Sequence, residues 1–110
     1  MTNKKDNEEY FTPTESVAKA ATEGLKLREK FGRGGTEVGL ARAKQLKNKE
    51  HVSIVDIKKM VSYFARHKVD KSGKNFDSKD KPSNGHIAWL LWGGEAGKEW
   101  AENIKKKQNI

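Results

Sequence analysis

Apolar residues recur at helical spacing through most of this chain, and the polar residues between them mark where each helix begins and ends. Val17, Ala20, Ala21, Gly24, Leu25, Leu27 and Phe31 fall on one face of a 3.6-residue repeat, with Lys19, Lys26 and Lys30 on the other. Thr12 can cap this segment, Pro13 suits a first turn, and Glu15 complements the positive end of the helix dipole. The pattern predicts a helix from about Pro13 to Phe31 that stops at Gly32. Thr36 caps a second helix, with Glu37 in its first turn. Its apolar side is Val38, Gly39, Ala41, Ala43 and Leu46, and it ends near Asn48.

Ser53 caps a third helix, with Asp56 three positions on in a capping-box arrangement with a shorter acid. Ile54, Ile57, Met60, Val61, Phe64 and Ala65 form its apolar stripe, and Lys58, Lys59, Ser62, Tyr63 and Arg66 take the opposite arc. Residues 68–84 are polar and read as a long mobile loop. The segment from His86 to Trp92 is apolar almost all round, as a short buried helix should be. Gly93 and Gly94 close it, and a last helix from Glu95 to about Lys106 carries Ala96, Trp100, Ala101 and Ile104 as a narrow stripe. No strand-like alternation is visible. The expected fold is all-α, a compact bundle of about five helices over residues 13–107, preceded by a disordered tail at 1–12.

Composition narrows the function more than the fold. The 110-residue chain is 34% hydrophobic and 35% charged, has no cysteine, and carries a net charge of +8. Disulfides and thiolate chemistry are therefore excluded, and a reducing compartment is suited. The N-terminus has no apolar leader core, and no apolar run approaches the roughly 20 residues of a membrane span, so a soluble, intracellular-type protein without membrane partners is expected. The positive charge attracts polyanions, which makes nucleic acid, DNA in particular, the first expected partner.

Residues 32–36, Gly-Arg-Gly-Gly-Thr, raise the question of a phosphate-holding loop. Gly34 has Gly39 at P-loop spacing, but Leu40 follows where Lys is required, and the dinucleotide fingerprint would need a glycine at Glu37. What remains is a helix-to-helix corner whose Arg33 and Thr36 could hold one backbone phosphate. The second and third helices, joined by a polar turn, could form a helix-turn-helix-like pair. In that arrangement Ser53, Val55, Asp56, Lys59 and Ser62 face bases, while Lys47, Lys49, Lys58 and Arg66 sit near phosphates. The expected nucleic-acid-binding set is thus Arg33, Thr36, Lys47, Lys49, Lys58, Lys59, Ser62 and Arg66.

Arg28 and Arg42 fall on core-facing arcs and need carboxylate partners, for which Asp56, Asp70 and Glu95 are candidates. Structural ion pairs are one outcome and a buried anion site the other. His51, His67 and His86 share no metal-ligand spacing, and Asp70 to Lys74 resembles a calcium loop except that Lys74 stands where an oxygen ligand belongs. Trp89, Trp92 and Trp100, interleaved with Ile87, Leu90 and Leu91, read as core before they read as a base-stacking platform. No catalytic constellation, metal, cofactor or small-molecule substrate is expected. Convergence of Arg28, Arg42, His67 and Asp70 in one pocket would be required of an enzyme.

Four segments together carry a resemblance: Phe31 to Thr36; Ala41-Arg42-Ala43; Ser62 to His67 with Val69-Asp70-Lys71; and Gly85 to Gly94. On them, residues 16–104 resemble a small basic domain of tailed-phage and some bacterial proteins, which occurs alone or appended to larger phage proteins. Members of that family often carry Arg or Lys where His86 stands, and a proline where Ile54 stands. The resemblance implies phage origin and a shared fold, and brings no catalytic residue with it. The expected protein is a non-enzymatic DNA-binding domain in the host cytoplasm or the virion, with docking to a phage or host protein as the alternative.

Overall fold

In the computed structural model, which describes residues 10–68 and 81–108, five helices and one two-residue strand pair account for the architecture. The strand pair comes first. Tyr10–Phe11 (β1) lies antiparallel to Val52–Ser53 (β2), pairing Tyr10 with Ser53 and Phe11 with Val52. The all-helical expectation missed it because a two-residue bridge is too short to leave an alternating pattern. It also corrects the end of the expected disordered tail: Tyr10 and Phe11 are paired, and Phe11 is half-buried against the core. Residues 1–9 of that tail lie outside the described residues.

The pairing holds the chain extended at Phe11, and the residue before a proline is biased the same way, so the helix begins later than Thr12 allows. Helix α1 spans Glu15–Phe31 with Thr14 as its cap, the Thr14 hydroxyl accepting from the Val17 N–H at 3.3 Å. It ends at Gly32, whose φ of 65° is the left-handed conformation that closes helices and suits glycine. Helix α2 spans Glu37–Lys47 and is capped by Thr36, which accepts from the Gly39 N–H at 3.3 Å. Helix α3 spans Ile54–His67, capped by Ser53 through the Asp56 N–H at 3.2 Å. Helix α4 spans Asn84–Leu91, capped by Ser83, and α5 spans Gly94–Gln108. The expected mobile loop is described only at its two ends; residues 69–80 lie outside the described set.

The core is built around α1 and α4. Val17, Ala18, Ala21 and Gly24 are the buried residues of α1, and Ile87, Trp89 and Leu91 are those of α4. Gly24 sets how close the two helices come: a Cβ there would lie 2.7 Å from the Leu91 nitrogen and 2.9 Å from the Leu90 carbonyl carbon. Helix α2 packs on α1 and α4, whereas α3 packs chiefly on α5. Direct approach of α2 to α3 is slight, so the two do not pair as closely as in a helix-turn-helix.

Two faces are rotated from their expected positions. On α2 the buried positions are Gly39, Arg42, Ala43 and Leu46, a regular i, i+3, i+4, i+7 set, which leaves Val38 and Ala41 outside. On α3 they are Ile57, Met60, Tyr63 and Phe64, so Tyr63 belongs to the core and Ala65 to the surface, the reverse of the expectation. Trp89 and Trp92 are core, and Trp100 packs half-buried at its edge.

Gly24→Ala tests the α1–α4 approach. The added methyl meets backbone that cannot rotate away, and overpacking of this kind costs about 1–3 kcal/mol. The expected result is a lower urea midpoint with an unchanged m-value; a variant as stable as the wild type would mean that the helices can separate at no cost.

Candidate binding groove between α2 and α3

The rotated faces of α2 and α3 create the site. Because Tyr63 turns inward, it stacks on Trp92 with ring centroids 4.5 Å apart and planes 5° from parallel. His67 stacks on Tyr63 at 4.4 Å, one helical turn further along α3. Arg42 also lies over the Trp92 ring at 5.3 Å. Guanidinium, indole, phenol and imidazole are thus brought into contact, joining α2, the end of α4 and α3.

Arg42 is only 9% exposed, and its guanidinium is held by Asp56 at 3.3 Å and by the Gln45 side-chain oxygen. Gln45 in turn donates to the His51 carbonyl at 3.1 Å. Of the carboxylates considered for Arg42, Asp56 is the partner, and the bond runs from α2 to the first turn of α3. The Asp56 carboxylate, expected to serve a capping box, is directed to Arg42. Arg28 has no carboxylate partner among the described residues, and its Nε donates to the Gly34 carbonyl at 3.2 Å, bracing the glycine corner; Asp70, another candidate, lies outside them.

Above this stack lies a groove of about 710 Å³. Its floor is Tyr63 and Trp92, which are 5% and 8% exposed and so present only edges to solvent. Thr36 and Val38 come from the start of α2 on one side, and Val55, Lys58, Lys59, Ser62 and Arg66 from α3 on the other. Val38 and Val55 are 61% and 57% exposed and, with Tyr10, are the large exposed hydrophobics among the described residues. Among the described residues no carboxylate lines the groove, and Lys58 and Arg66 have no acidic partner. Lys59 approaches Asp56 only at 4.0 Å.

Five of the eight expected binding residues therefore meet: Thr36, Lys58, Lys59, Ser62 and Arg66. The other three lie elsewhere. Arg33 turns back on its own protein, donating to the Asn84 side-chain oxygen at 2.5 Å and lying over the Phe31 ring at 5.4 Å. The glycine corner is thus closed by a C-cap at Gly32, an N-cap at Thr36 and the Arg33–Asn84 bond. Lys47 and Lys49 border a separate cleft against α1, beside Glu15 and Glu23, where Lys49 pairs with Glu15.

Val38, Tyr63, His67 and Trp92 were not expected in the site. Val38 lies one turn before Arg42, at the margin of the buried face formed by Gly39, Arg42, Ala43 and Leu46, and an apolar residue at such a margin gives no local signal of exposure. Trp92 stands 29 residues from Tyr63 and leaves no local signal. No group of three or more His, Cys, Asp or Glu capable of holding a metal occurs among the described residues, and none of their helices is long and apolar enough to cross a membrane. Asp70, named for both a calcium loop and a catalytic cluster, lies outside them.

Two results check this geometry. Asp56→Ala leaves the Arg42 charge buried without its partner, which should cost about 3 kcal/mol in chemical denaturation, the low end for a broken buried pair because Asp56 is partly exposed. The Arg42→Met/Asp56→Ala double variant should lose less than the sum of the singles, because neither charge is then stranded; strict additivity would show that the pair is not coupled. At Glu15, the hydrogen bond from Lys49, then its charge, holds the carboxyl below the ordinary carboxylate range. Since the folded value is the lower one, the stabilisation is present above the unfolded carboxyl pKa and fades as pH falls through the folded one. An NMR titration of Lys49→Met should show Glu15 back near its usual value; an unmoved titration would assign the shift to another group.

Comparison of the chain with protein-family models, curated proteins and solved structures gives no match.

Proposed function

We propose that this chain is a non-enzymatic binding module that engages an anionic macromolecule at the α2–α3 groove. One observation carries the proposal: Lys58, Lys59 and Arg66 converge on a single groove whose lining, among the described residues, contains no carboxylate. Among the described residues the lining carries three cations and no acid, which biases the local field toward positive.

Nucleic acid is one partner of this kind. It is supported by the net charge of +8 and by long, exposed cations along α3 that can reach a phosphate backbone. An acidic protein segment is the other, supported by the two exposed valines, which phosphates do not require. The resemblance to a tailed-phage domain would make either partner a phage or host component, met in the host cytoplasm or the virion. Lys47, Lys49 and Arg33 fall outside the proposed contact.

The test is a fluorescence-anisotropy titration at low salt with duplex DNA and, separately, with an acidic peptide. At least one should bind, with affinity falling steeply as salt rises. Lys59→Glu and Arg66→Glu should each weaken that binding about tenfold, whereas Lys19→Glu on α1 should change it by less than about twofold. Binding to neither, or equal losses from all three variants, would sink the proposal.

A further inference from the structure

The two valines in the groove lie outside the buried core. Each stands in the first turn of its helix and is more than half exposed. Yet the structure brings them together on one surface beside three cations. An apolar strip next to a one-signed charge is complementary to a ligand that is itself both apolar and anionic.

The α3 side of the groove also has a regular repeat. Val55, Lys58, Lys59, Ser62 and Arg66 follow one another at helical intervals and form a straight rail about 16 Å long, at 1.5 Å per residue. Ser62, the smallest of them, sits in the middle and lets a facing backbone come close. A straight rail of this length matches about three turns of an opposing helix, which would present its own apolar residues at i, i+3, i+4 and i+7. The aromatic rings are less suited to nucleobases, because Tyr63 and Trp92 already occupy each other's faces and a base would find only their edges.

We infer that the groove receives an amphipathic α-helix of a partner protein. Its apolar stripe packs on Val38 and Val55, and flanking Glu or Asp residues meet Lys58, Lys59 and Arg66. This rests on the proposed anion-binding role of the groove and selects the class of partner.

The experiment uses the full chain and three fluorescent ligands. One is a designed peptide of about 14 residues with leucines at helical spacing and glutamates between them. The second is the same peptide with every leucine replaced by serine, which keeps the charge and removes the apolar face. The third is a short DNA duplex. The leucine peptide should bind at least about tenfold more tightly than the serine peptide. Val38→Ser and Val55→Ser together should erase that advantage and leave any DNA binding within about twofold. Both valines are exposed, so the fold should survive, and a circular-dichroism melt checks that it does. Equal binding of the two peptides, or DNA binding with no leucine advantage, overturns the helix inference and leaves the anion-binding role standing. If no ligand binds, both fall.

Discussion

A guanidinium taken out of water has to find both a counter-charge and hydrogen-bond acceptors, and Arg42 finds them on more than one element. Asp56 provides the charge from the first turn of α3, Gln45 provides an acceptor from α2 itself, and Trp92 covers the flat face from the end of α4. Helices α2 and α3 otherwise hardly meet. This one side chain therefore ties α2 to the first turn of α3 beside the groove. With Gly39, Arg42, Ala43 and Leu46 inward, Val38 is left at the exposed margin of that face.

The same constraint orders the aromatic stack. Trp92 follows the last residue of α4, whose position is set by the close approach of α1 at Gly24. A ring held there touches Arg42 and stacks on Tyr63, and Tyr63 stacks in turn on His67. Close-packed faces of this kind stabilise the interior more than they serve recognition, since stacking surface used within the protein is lost to a ligand. The groove is consequently a shape made by packing, while its chemistry comes from the residues left at its edge: two valines, three cations and a serine.

The positive charge is divided by the fold into unlike pieces. Lys47 and Lys49 look across at Glu15 and Glu23, which lowers the local field, and Arg33 spends its donors on Asn84. On α3 the cations face outward with little acid near them. Net charge alone could not separate these groups, because a formal sum takes no account of which carboxylate ends up beside which lysine.

Much of the fold was legible in the residue pattern. The caps at Thr36 and Ser53, the stop at Gly32, the amphipathic α3 and the buried α4 are local properties, decided by side chains within a turn or two of one another. Five of the eight expected site residues met in one groove because they lie on or beside a single helix face. The errors share one cause. Tyr63 was placed outside because a phenol on the polar arc of an isolated helix looks exposed, and only Trp92 arriving from α4 makes its burial favourable. Val38 was placed inside because valine is apolar, and only the packing of α2 against α1 and α4 leaves it at the exposed margin. The sequence by itself determined the helices, their ends and the excess of positive charge, since these depend on neighbours in the chain. The tertiary structure decided which faces are buried, which lysines are neutralised and where the groove opens, since these depend on partners that only packing brings together.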